Sequence, residues 1–137
     1  MTNLTRRRIL ELLLGGVGTD VWIEPPFFCD YGAHTYIGVQ SFINANCVFL
    51  DSAEIRIGAS VLIGPGVQLV TASHPLRASD RVVPVSDEQA ATTPYRTQAR
   101  PITIGDQVWL GAGSLVTADV PPHCLAFGQP CRVQRDL

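Results

Sequence analysis

The 137-residue sequence contains no lysine, and all ten of its basic residues are arginines. We read this as a bias of composition rather than as chemistry. Charge of either sign is scarce. Charged residues make up 16 % and the formal net charge is −2, which argues against a surface built for nucleic acid or an anionic membrane. No apolar run is long enough to span a bilayer. The four cysteines, Cys29, Cys47, Cys124 and Cys131, form no CxxC pair. A zinc or disulfide framework is therefore not expected, and reduced thiols in a cytoplasm are. Asn-Gly and Pro-Gly turns, which punctuate ordinary β-sandwiches, are nearly missing.

What is present is apolar. Hydrophobic residues make up 46 % of the chain, enough for one domain with a packed core. The opening "TRRRILELLLGGVG" sets three arginines before an apolar stretch, but Glu11 interrupts it and no A-x-A cleavage site follows. An export signal would need both a longer apolar core and that site. The expectation is a short helix over 1–14, with Ile9, Leu10, Leu13 and Leu14 on one face, ending at Gly15-Gly16.

A repeat of six dominates the rest. "IGVQSF" starts at Ile37, "IGASVL" at Ile57 and "IGPGVQ" at Ile63; "IGDQVW" follows at Ile104 and "LGAGSL" at Leu110. The lead positions fall into sets: Ile37, Ile43, Phe49; Ile57, Ile63, Leu69; Ile104, Leu110, Val116. A fainter set, Val17, Ile23 and Cys29, precedes them, and the first three sets recur every twenty residues. A period of six fits neither a helix nor an alternating strand. It fits a triangular coil in which each hexad makes one short strand and turns a corner, with the lead aliphatics stacked inside. Glycine suits places of unusual backbone conformation or close approach.

The regular pattern stops at "VTASHPL". Pro75 holds His74 extended, displaying the imidazole at a strand end. An excursion over 75–101 follows, and loops of that length in a compact domain are usually functional or disordered. Histidine titrates near neutrality, so His74 is a candidate general base; the competing reading is an ordinary loop histidine.

"EPPFFCDYG", "NANCVFLD", "IGPGVQLVTASHPL", "PITIGDQVWLG", "LVTADVPPH" and "GQPCRV" together resemble the hexapeptide-repeat acyltransferases, and most nearly the maltose/galactoside O-acetyltransferase branch. The resemblance implies an all-β fold, a left-handed parallel β-helix of about four coils spanning 15–137, with the long loop 75–101. It implies acetyl-CoA as cosubstrate, no metal, a small-molecule hydroxyl acceptor and a homotrimer. By the same likeness His74 is the general base, Asn44, Asp51 and Asp30 meet the acceptor, and Trp109, Thr117 and Arg132 meet the coenzyme, with Arg135 assisting. Each has a structural alternative. Asn and Asp at coil corners often bond their own backbone, and Trp109 could pack between subunits.

Three departures from the family pattern stand out. The family's additional helical segment ahead of the repeats is lacking, Ala118 in "VTAD" stands where the family has lysine, and "VWLG" runs straight into "AGSLVTADVPP" without some eighteen further residues, about one coil. Two alternatives follow. One is a catalytically weakened or inert β-helical assembly module. The other is a γ-type carbonic anhydrase, which is disfavoured because His34, His74 and His123 include no close pair.

Overall fold

The computed structural model describes residues 2–86 and 93–137. The opening helix α1 (Asn3–Leu13) leads into a first coil of three strands, β1 (Gly16–Val17), β2 (Trp22–Ile23) and β3 (Phe27–Cys29). The second coil is β4 (Thr35–Ile37), β5 (Phe42–Ile43) and β6 (Cys47–Leu50); the third is β7 (Ile55–Ile57), β8 (Leu62–Ile63) and β9 (Gln68–Val70). An excursion then carries β10 (Ala72–Ser73), the single-turn helix α2 (Ala78–Arg81) and β11 (Gln98–Ala99). The fourth coil is β12 (Ile102–Ile104), β13 (Trp109–Leu110) and β14 (Leu115–Val116). A shorter fifth turn runs through a bridge at Val120 to β15 (Cys124–Phe127), against which β16 (Arg132–Asp136) folds back antiparallel.

Corresponding strands stack in parallel on three faces. Face one holds β1, β4, β7 and β12; face two holds β2, β5, β8, β13 and β15; face three holds β3, β6, β9 and β14. Register follows the hexad leads. Val17, Ile37, Ile57 and Ile104 align on face one, Ile23, Ile43, Ile63 and Leu110 on face two, and Cys29, Phe49, Leu69 and Val116 on face three. Ile43, Phe49, Ile63, Leu69 and Leu110 are wholly buried. Each such side chain stabilises the fold by about 1.5–3 kcal/mol. About five turns form where the hexads anticipate four, because the last is led by Val120 and Ala126 without an aliphatic-glycine signature.

Within the hexads unusual backbone and close approach fall to separate residues, whereas Gly32 combines both, with φ 76° and a Cβ that would stand 2.7 Å from the Leu13 carbonyl oxygen. Left-handed conformation is taken at the corners, by Asp20, Gln40, Ser60, Gln107 and His123 between faces one and two, and by Asn46, Gly66 and Gly113 between faces two and three. The glycines that follow Val17, Ile37, Ile57, Ile63, Ile104 and Leu110 instead let coils approach. A Cβ at Gly64 would stand 2.7 Å from the backbone nitrogen of Ala112 in the next coil.

Both ends of the prism are closed, which blunts the exposed strand edges. At the first coil, Leu10 and Leu14 of α1 and its cap pack on the core. The Arg7 guanidinium donates to the carbonyls of Gly18 (2.6 Å) and Val17 (2.9 Å), and Arg6 donates to that of Ile23 (2.7 Å). At the far end β16 covers β15. The excursion is more ordered than its sequence implies. β10 and β11 pair antiparallel, Val82 bridges Tyr95, and Val83 is buried. Part of the expected 75–101 loop, residues 87–92, lies outside the described residues.

Candidate active site

The edge where face three passes into face one carries most of the chemistry. The third coil leaves the prism there as the β10–β11 hairpin, whose base is closed by the Arg100 N–H donating to the Thr71 carbonyl at 3.0 Å. His74 follows β10 directly and is exposed. Its Nδ1 lies 2.8 Å from the carbonyl oxygen of Arg96, on the returning arm of the excursion. A carbonyl can only accept, so Nδ1 carries the proton of the neutral ring and Nε2 keeps its lone pair. The Tyr95 ring stands edge-on, 6.4 Å from the imidazole. The contact favours one tautomer and leaves Nε2 of this exposed residue unprotonated, which is what a proton acceptor requires.

Asp51 lies on the same edge but points inward. It is wholly buried, one carboxylate oxygen accepting from the Tyr31 N–H (2.8 Å) and the other from the Thr35 hydroxyl (2.9 Å). It therefore ties the second coil to the Asp30–Thr35 corner. Asp30 is exposed on that corner. Beside it, His34 places Nδ1 2.7 Å from the Asp51 carbonyl oxygen and stacks on Tyr31 with centroids 5.0 Å apart. Burial raises the Cys29 thiol pKa, and the carboxylates of Asp51 and Asp30 add to the shift.

Two expected residues stand elsewhere. Asn44 occupies the corner between faces two and three, and its side-chain oxygen accepts from the Ala45 N–H at 2.8 Å. Trp109 is 46 % exposed on the outer side of face two, in register with Trp22, Phe42, Leu62 and Leu125. A single prism thus brings His74, Asp30 and Thr117 to one edge and puts Asn44 and Trp109 on another side. His123 is a corner residue between faces one and two, with Nδ1 3.1 Å from the Gln107 side-chain oxygen, away from the edge that carries His34 and His74.

Two grooves meet at Thr117. One, of about 410 Å³, runs beside the hairpin base and is lined by Thr71, Ser73, Gln98, Arg100 and Thr117 among others. The smaller, of about 160 Å³, continues over Thr117, Ala118 and Asp119 to Arg132. Arg132 is exposed and donates to the Cys131 carbonyl at 2.8 Å. Sequence reasoning missed Ser73, Gln98 and Arg100 as groove residues and the Arg96 carbonyl as the partner of His74. No residue-type signal marks them; only the pairing of β10 with β11 brings them together.

A parallel β-helix of stacked hexads that displays an oriented histidine next to a groove lined by the neighbouring Ser73 fits a hexapeptide-repeat transferase. No family model matches the chain, but curated and solved proteins do. Nodulation protein L of Rhizobium meliloti (strain 1021) is 42 % identical over 139 residues, covering 88 % of this chain and 70 % of that protein. The galactoside O-acetyltransferase of Escherichia coli (strain K12) is 34 % identical over 139 residues, covering 96 % of this chain and 68 % of that protein. A hexapeptide-repeat-containing acetyltransferase of Vibrio cholerae O1 biovar eltor, solved with acetyl coenzyme A, superposes with a TM-score of 0.78 at 35 % identity, over 100 % of this chain and 79 % of that one. The chain belongs to the hexapeptide-repeat acetyltransferases, a family of acyltransferase enzymes.

Proposed function

We propose that the protein transfers an acetyl group from acetyl-CoA to a hydroxyl of a sugar or similar small molecule, with His74 as general base. The observation that carries this is the Nδ1 contact to the Arg96 carbonyl, which leaves Nε2 free to accept a proton. Nε2 takes the acceptor's hydroxyl proton as that oxygen attacks the thioester carbonyl. A carbon–oxygen bond forms, the tetrahedral intermediate collapses, the carbon–sulfur bond breaks, and the imidazolium returns the proton to the departing thiolate. No covalent enzyme intermediate is needed. The partner of Nδ1 is a neutral carbonyl, so it orients the ring without adding a counter-charge.

The groove from Ser73 past Thr117 to Arg132 has the elongated form that a coenzyme A arm needs. Asp30 is the exposed acceptor-side candidate on the His74 edge. Asn44 and Trp109 join such a site only if a neighbouring prism supplies them, which supports a homotrimer with sites between subunits. The exposed apolar ladder on face two favours that association. The four unpaired thiols fit a reducing cytoplasm. Acceptor-dependent thiol release from acetyl-CoA, measured over a panel of sugars, tests the reading; no acceptor-dependent release with any of them would sink it.

One observation favours the second reading, an inert assembly module. Ala118 stands beside Thr117 where the family pattern has lysine, and "VWLG" runs straight into "AGSLVTADVPP". If a coil of three hexads is missing at that junction, the nucleotide end of the groove lies one layer nearer His74. Calorimetry with CoA separates the readings: stoichiometric binding excludes the inert module.

A further inference from the structure

The coenzyme reading leaves one charged group in the groove without a role. Arg100 is the last residue of the excursion before Pro101, and its backbone is pinned to Thr71. Its guanidinium is exposed and makes no hydrogen bond or ion pair with the described residues. It lines the hairpin groove with the hydroxyls of Ser73 and Thr117 and the amide of Gln98, while the Thr71 hydroxyl is already committed to the Leu50 carbonyl; among the described residues no carboxylate lines that groove. A guanidinium with hydroxyl and amide donors and no competing anion is a phosphate-binding set.

The neighbouring groove is different. There Arg132 shares the lining with Asp119, whose carboxylate accepts from the Thr103 N–H at 2.8 Å and places a negative charge where an anion would lie. The residue beside Thr117 on that side is Ala118, which offers no cation. Of the two arginines, Arg100 holds the better anion site. It also stands back from the reacting base. Thr71 and His74 are three residues apart along the strand, about 10 Å at 3.3 Å per residue, so the hairpin base where the Arg100 backbone is anchored is set back from the imidazole.

We infer that Arg100 is a coenzyme-binding residue that grips a phosphate of coenzyme A in the hairpin groove, so that the excursion recognises the charged end of the donor. This rests on the acetyl-CoA reading above. The test is calorimetric titration of coenzyme A and of pantetheine, which lacks the phosphates, into wild type, Arg100→Ala and Arg100→Lys. Expected is a loss of about tenfold or more in CoA affinity for Arg100→Ala, an intermediate loss for Arg100→Lys, and unchanged pantetheine binding in both. Unchanged CoA affinity in Arg100→Ala overturns the inference, as does a parallel loss of pantetheine, which would make the arginine a support of the hairpin. A wild type that binds pantetheine as tightly as CoA overturns the phosphate site alone. A wild type that binds neither overturns the coenzyme reading as well.

Discussion

Asp51 offers the sharpest separation of a structural carboxylate from a substrate-binding one. Its oxygens satisfy two buried donors, the Tyr31 N–H at 2.8 Å and the Thr35 hydroxyl at 2.9 Å, and no part of it reaches solvent. Asp51→Ala leaves both donors unpaired. Each unsatisfied group costs about 1–3 kcal/mol, so the variant should lose roughly 2–6 kcal/mol. Asp51→Asn behaves differently. Its carbonyl can accept from Tyr31 and its NH₂ can donate to the Thr35 oxygen, since a hydroxyl accepts as well as donates. Only the charge assistance goes, and a loss of about 1–2 kcal/mol is expected. Urea melts of the three proteins, read by far-UV circular dichroism, give these differences at constant slope. If Asp51→Ala melts with wild type while its KM for the acceptor rises, the carboxylate faces substrate and this account of the corner is wrong.

Other outcomes follow from packing and titration. Gly64→Ala puts a Cβ 2.7 Å from the Ala112 nitrogen and 3.0 Å from its Cα, backbone atoms that can move only with the coil. It should cost about 1–3 kcal/mol. Gly113→Ala meets no atom within 4 Å and incurs only the penalty of a φ of 69°, about 1–2 kcal/mol; thermal melts that spare Gly64→Ala would refute the close-approach role. Burial raises the thiol pKa values of Cys29, Cys47, Cys124 and Cys131 above the ordinary 9.0. The stability this represents is intact below that pH and is lost as the pH rises through the folded-state values, because the unfolded thiols ionise first. At pH 8 a disulfide reagent should therefore react far more slowly with native protein than with protein in urea, and equal rates would contradict the burial.

The stacked core was legible from sequence because its rule is local. An aliphatic residue every sixth position, shifted by two per coil, is enough to name Ile23, Ile43 and Ile63 as neighbours from spacing alone, and the hexad phase after the excursion adds Leu110. The break at His74 was legible for the same reason, since the period stops there and a proline follows. The fifth turn was not, because Val120 and Ala126 carry no hexad signature. The order within the excursion was hidden too: β10 and β11 have two residues each and α2 four, too short to show a period. Nor could residue types reveal that Asp51 is consumed by Tyr31 and Thr35, or that Arg100 faces the groove. Those facts depend on which coil lies above which, and a sequence pattern states the stacking without the direction of each polar side chain.

Single-turnover acetyl transfer by His74→Ala, beside its CoA affinity, tests the central claim most directly. The account predicts transfer slowed by about 10²–10⁴-fold, the usual contribution of a positioned general base, with CoA affinity unchanged because the imidazole lines neither groove. Equal transfer rates in the two proteins would contradict it and remove His74 from the mechanism.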